Sequence, residues 1–190
     1  LVQSPPGRII GGEVLWNGRD LLKLTPKEMR KVRGSEIAMI FQEPMTSLNP
    51  VFKIGTQITE VIRTHTNCSK KEAWEIGANA LAEVGIPDPE SRMHNYPFEM
   101  SGGMRQRVMI AIAVACNSKL IIADEPTGNV DPEMSREIMD LLVRINKLGK
   151  TVIVVTHEKD LVDEYRHRVI TIKDGEIVSD RSEGGYDEKD

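Results

Sequence analysis

Residues 99–131, EMSGGMRQRVMIAIAVACNSKLIIADEPTGNVD, constrain this chain more than any other stretch. Ser101-Gly102-Gly103 is a small, polar, glycine-rich turn before a helical pattern in which Val108, Ile112 and Ala115 share a face. Such a turn frees backbone N–H groups at a positively polarised helix N-terminus. Glycines there let an anion approach the backbone. The apolar run Leu120-Ile121-Ile122-Ala123 follows and ends in adjacent carboxylates, Asp124 and Glu125. A short apolar run between turn residues suits a buried parallel strand, and open α/β sheets bind ligands beyond the carboxyl ends of their strands. One carboxylate can hold a hydrated metal ion and the other can orient a water. Taken singly, each half has a plainer explanation: a capped helix after a loop, and two solvated acids before Pro126. Their order and spacing favour an α/β fold that handles nucleotide phosphates.

Other segments fit an α/β chain. Leu15-Trp16 followed by Asn17-Gly18 reads as a strand and tight turn, and Thr25-Pro26 as the cap of a short helix. The periodicity predicts a strand at 37–41, helices at 54–64 and 69–84, a helix at about 132–147 and a strand at 151–156. Asp174-Gly175 predicts a hairpin turn, and residues 180–190 form a polar tail. The formal charge of −4 gives no basic footprint for nucleic acid. Cys68 and Cys116 are distant in sequence and form no metal or redox motif; Cys116 reads as a buried thiol.

The ordered motifs resemble those of the ABC (ATP-binding cassette) ATPases. Ser101-Gly102-Gly103-Met104-Arg105-Gln106-Arg107 is similar to the family's signature motif, and Leu120–Glu125 to its Walker B strand with the catalytic glutamate. Asn129-Val130-Asp131 resembles the D-loop. Phe41-Gln42-Glu43, after Ile37–Ile40, resembles the Q-loop, and His157, after Thr151–Thr156, the switch histidine. The resemblance implies a P-loop NTPase-like ATPase domain with a helical subdomain, ATP and Mg²⁺ as ligands, and transport-coupled ATP hydrolysis. It implies Glu125 and His157 as catalytic groups, Asp124 and Gln42 at Mg²⁺, and Gln42, Ser101, Gly102, Gly103 and Asp131 at nucleotide. The implied organisation is a partial core at 1–50, a helical subdomain at 51–100 and a second core segment at 101–179. The implied partners are a second ABC ATPase domain, identical or paralogous, and membrane permease subunits. Met45, Leu48, Val51 and Phe52 would offer the permease apolar contact, which places the chain at the cytoplasmic face of the membrane.

The phosphate-cradling G-x-x-x-x-G-K-[ST] loop is not among these residues. Gly149-Lys150-Thr151 is a decoy, because Arg144 stands where the first glycine belongs and a helix precedes a strand there. The resemblance therefore implies that a P-loop segment is missing ahead of Leu1 and that this chain binds ATP weakly. Residues 1–125 resemble dipeptide and oligopeptide importer ATPases. Residues 126–190 resemble a cell-division ABC ATP-binding protein, so a mosaic joined near the Walker B strand is expected. The alternative function is a cell-division ATPase or a non-hydrolysing scaffold on a membrane partner.

Overall fold

Three parallel strands organise the chain: β3 (Ile37–Ile40), β4 (Leu120–Asp124) and β5 (Thr151–Val155), side by side in the order β3-β4-β5. They belong to a computed structural model that describes residues 7–42, 47–128 and 130–182. The register pairs Ile40 with Ala123 and Asp124 with Val155, so the three carboxyl ends lie together. β4 is central, and Leu120, Ile121 and Ala123 are buried as expected for an inner parallel strand. β5 forms over the apolar run expected to be a strand. It is the edge of this sheet among the described residues, and Ile153 and Val155 stand partly exposed.

Two antiparallel hairpins flank this sheet. β1 (Leu15–Trp16) pairs with β2 (Arg19–Asp20) around Asn17-Gly18, where both residues have positive φ. β6 (Val169–Lys173) pairs with β7 (Glu176–Arg181) around Asp174-Gly175, as the sequence predicts. The first hairpin is tied to the core by Glu36, which accepts from Trp16 Nε1 (2.7 Å) and pairs with Arg19 (2.6 Å).

The helices begin where local chemistry supplies caps. In α1 (Pro26–Val32), Thr25 and Glu28 form a reciprocal capping box with Pro26 at the first position. α2 (Ile54–His65) buries Ile54, Ile58 and Ile62 completely, one face at four-residue spacing. α3 (Lys70–Glu83) starts from a second capping box, Ser69 with Glu72. α4 (Pro89–Met93) is short and inserts Met93 against Gly77 of α3, where a Cβ would lie 2.9 Å from the Met93 methyl.

α5 (Gly102–Ala115) differs from the one-sided helix expected. Val108, Met109, Ile110, Ala111 and Ala113 are all buried, so the helix is enclosed on most sides. It packs against α2, α3 and β3. α6 (Pro132–Lys147) is amphipathic, with Ile138, Leu141, Leu142 and Ile145 inward. Gly149, at φ +89°, follows its last turn and turns the chain into β5, so Gly149-Lys150-Thr151 is a helix stop. α7 (Lys159–Tyr165) is held to α6 by the Tyr165 hydroxyl, which donates to Asp140 Oδ1 (2.9 Å) or Arg136 O (3.0 Å).

Ile121 sits fully buried in the middle strand of the sheet. Ile121→Ala is expected to destabilise the fold by about 2–5 kcal/mol, read as a lower midpoint in urea unfolding at unchanged slope.

Candidate active site

The three parallel strands deliver three polar side chains to one edge. Gln42 follows β3 by two residues, Glu125 follows β4 directly, and His157 follows β5 by two. Asp124 is the last residue of β4 and is half-buried. Burial of β4 thus fixes where its terminal carboxylates emerge.

Glu125 makes the tightest turn at this edge. Its φ of +46° is in the left-handed region, unusual for a residue with a side chain. Its N–H still donates to Val155 O (2.8 Å), which extends the β4–β5 ladder by one bond. Its own carbonyl accepts from Gly128 N–H (3.1 Å), closing the Pro126-Thr127 turn. Strain of this kind costs about 1–3 kcal/mol and persists only where surrounding bonds enforce it.

The Glu125 carboxylate is polarised between two environments. Oε1 lies 2.6 Å from His157 Nδ1. Oε2 is buried and has no hydrogen-bond partner among the described residues. The Glu125 side chain is 15% exposed, whereas that of His157 is 80% exposed. The hydrogen bond to Glu125, reinforced by its charge, raises the His157 pKa above the ordinary histidine value. A carboxylate oxygen held inward without a donor is the arrangement expected of a group waiting for a water or a ligand hydroxyl.

Gln42 reaches the same turn. A Cβ built on Gly128 would lie 3.7 Å from Gln42 Nε2 and 3.4 Å from the Glu125 carbonyl. The Gln42 amide therefore lies in the neighbourhood of the turn that Glu125 opens. The Asp124 carboxylate and the Gln42 amide oxygen are hard donors that suit Mg²⁺. Among the described residues no group of three or more His, Cys, Asp or Glu side chains is poised to hold a metal. This donor set therefore fits an ion that keeps several waters or phosphate oxygens, as Mg²⁺ does. Thr127 Oγ1 hydrogen-bonds Glu158, and Glu158 N–H takes Thr156 Oγ1 (3.1 Å), which braces the segment carrying His157. The sequence offered no signal for this brace.

Ser101, Gly102 and Gly103 belong to a second cluster. Ser101 Oγ accepts from Met104 N–H (3.3 Å) and caps α5. Among the described residues nothing approaches within 4 Å of a Cβ placed on Gly102, so that face is open. Gly103 is buried, and a Cβ there would meet Met134 of α6 at 2.7 Å. Asp131 caps α6 by accepting from that same residue's N–H (3.0 Å). The starts of α5 and α6 therefore abut through Gly103 and Met134. Arg107 is a strut, donating to Val84 O (2.6 Å) and pairing with Glu137. Glu43 and Asn129 lie outside the described residues.

The expected permease-facing residues divide. Val51 and Phe52 are exposed, Val51 to 70%. Leu48 is buried as a member of the hydrophobic core and is unavailable. Met45 lies outside the described residues. Sequence reasoning missed the aromatic neighbours. Ile54 N–H donates to Asn95 O (2.8 Å), and Lys53 Nζ stands 5.9 Å above the Tyr96 ring. Tyr96 stacks on Phe98, which is 67% exposed. Val51, Phe52, Tyr96 and Phe98 thus come from two segments tied together at Asn95.

The family model for the ABC transporter matches residues 3–128, well over half of the chain. The chain belongs to this family. It is 48% identical over 179 residues to the oligopeptide transport ATP-binding protein OppD of Bacillus subtilis, covering 94% of the chain and 50% of the relative. A probable peptide ABC transporter ATP-binding protein of Sinorhizobium fredii is 47% identical over 183 residues, covering 96% and 55%. The dipeptide transport ATP-binding protein DppD of Escherichia coli is 44% identical over 174 residues, covering 91% and 53%. The chain thus spans about half the length of the curated relatives it matches. A post-hydrolysis dimer of the ATP-binding cassette MJ0796, bound to ADP and Pi, superposes with a TM-score of 0.80 at 29% identity, covering 93% of this chain and 75% of that one. The fold is that of an ABC ATPase cassette.

The importer likeness does not stop at residue 126, since it covers up to 96% of the chain. A mosaic is not needed to account for the second half, and these relatives lend the cell-division reading no support.

The Glu125–His157 bond sets a pH dependence. The His157 pKa is raised in the fold, so its contribution to stability is fully present below the unfolded histidine value and is lost as pH rises through the higher folded value. In Glu125→Gln the His157 pKa is expected to fall back toward its ordinary value, followed by NMR titration of the imidazole carbons.

Proposed function

We propose that this chain is part of the ATP-hydrolysing subunit of a peptide importer. The observation that carries the reading is the buried, unpartnered Oε2 of Glu125 beside the 2.6 Å bond to His157, in a chain whose relatives are described as peptide transport proteins. Glu125 polarises the attacking water through Oε2. His157 holds the other carboxylate oxygen and, being exposed, reaches the γ-phosphate of ATP. Asp124 and Gln42 would hold Mg²⁺, which would supply charge neutralisation at the terminal phosphates. Positioning and charge stabilisation supply most of the catalysis in phosphoryl transfer.

Ser101, Gly102 and Gly103 contact the nucleotide of a second cassette, identical or paralogous. The open face at Gly102 and the capped start of α5 support that role. Asp131, at the abutting start of α6, lines the same interface. Residues 51–100 act as a helical subdomain, and its exposed Val51, Phe52 and Phe98, with the half-buried Tyr96, receive an apolar segment of a membrane permease. The subunit sits peripherally at the cytoplasmic face of the membrane. No helix among the described residues is long and apolar enough to cross a membrane.

Two experiments test these roles in the importer subunit that carries this chain, assembled with its permease. Glu125→Gln is expected to lower steady-state ATP turnover by about 10²-fold or more while nucleotide binding persists. Unchanged turnover would remove Glu125 from the chemistry. Paired Phe52→Asp and Phe98→Asp substitutions are expected to abolish co-purification with the permease while leaving the thermal midpoint within a few degrees, because both side chains are exposed.

A further inference from the structure

Cys68 and Cys116 are far apart in sequence, and the fold brings their surroundings together. Cys68 lies in the loop between α2 and α3, three residues beyond His65. The His65 ring packs on Gly34, where a Cβ would meet Nε2 at 2.5 Å. Gly34 lies three residues ahead of β3, and the Glu36 carbonyl accepts from Lys119 N–H (3.0 Å) and Leu120 N–H (3.1 Å). Cys116 ends α5 three residues before Lys119. The α2–α3 loop and the α5–β4 turn are thus drawn to the same edge, at the amino ends of β3 and β4 and opposite Glu125. Both sulfurs are half-buried and pack against the margin of one hydrophobic core. Thr66 Oγ1 lies 3.0 Å from Cys68 Sγ and orients it.

We propose that Cys68 and Cys116 form a reversible dithiol–disulfide pair that ties the α2–α3 loop to the C-terminal end of α5. Burial, with the nearby Cys68 adding to it, pushes the Cys116 thiol up to about 11. Cys116 is therefore the slow nucleophile, and Cys68, on the loop, reacts first. With glutathione disulfide as oxidant, the Cys68 thiolate attacks one sulfur, the S–S bond breaks and one glutathione leaves. The Cys116 thiolate then attacks the Cys68 sulfur of the mixed disulfide and expels the second glutathione. Two cysteine thiols are oxidised, one glutathione disulfide is reduced to two thiols, and the two cysteine protons end on the glutathiones.

Treating the folded chain with glutathione disulfide and measuring intact mass tests this directly. The expected product has lost two hydrogens, about 2 Da, yields a Cys68–Cys116 linked peptide on digestion and reverts with dithiothreitol. Its thermal midpoint rises by roughly 5–10 °C, because the link closes a long loop. Cys116→Ser is expected to stop at a single glutathione adduct on Cys68, and Cys68→Ser to leave Cys116 unmodified. Two glutathione adducts on one chain, disulfide-linked dimers, or two thiols still free to alkylation would each overturn the pairing.

Discussion

The register of β4 against its two neighbours is the constraint on which the candidate site depends. Leu120, Ile121 and Ala123 are buried, so both faces of β4 are covered, and its ladders to β3 and β5 fix where the strand ends. The pairing then places the end of β4 beside Val155 and delivers Glu125 next to the segment that bears His157. The ladder bond from Glu125 N–H to Val155 O carries the register one residue past the strand, and it is this residue that adopts φ +46°. A strained backbone, an imidazole at one carboxylate oxygen and an empty-handed second oxygen follow from a single strand position. Local strain at such a point is affordable only because a buried sheet enforces it.

The two halves of residues 99–131 serve different places on the surface. Asp124 and Glu125 emerge at the sheet edge, where Gln42 and His157 join them. Ser101 and Asp131 cap the abutting starts of α5 and α6, joined through Gly103 and Met134. This separation suits a protein that completes its nucleotide site with a second cassette. Arg107 stiffens the arrangement by linking α5 to the end of α3 and to α6. The signature helix is thereby a mechanical part of the fold as well as the bearer of an open N-terminus.

Most of the elements were legible because their signals are local. Thr25-Pro26 announces a helix start, and the helix forms with Thr25 as its cap. Asn17-Gly18 and Asp174-Gly175 announce tight turns through positive φ, and both adopt it. What escaped the sequence depends on contacts between distant segments. Leu48 looks like a surface apolar residue in a loop, yet it joins the core. Phe98 and Tyr96 join Val51 and Phe52 only through the Ile54–Asn95 bond. The Thr127–Glu158 brace and the approach of Cys68 toward Cys116 are likewise long-range facts with no local periodicity. The exposure of β5 follows from its place at the edge of the sheet, which strand composition does not encode.

The central claim is that three strand ends place Gln42, Asp124 and Glu125 around one metal–phosphate position. Paramagnetic broadening by Mn²⁺-ATP in isotope-labelled protein measures this most directly. The account predicts strong, distance-dependent broadening of the Gln42 side-chain amide and of the Gly128 backbone amide, with Gly175 in the β6–β7 turn unaffected. Equal broadening at all three, or broadening centred on Gly175, would contradict it.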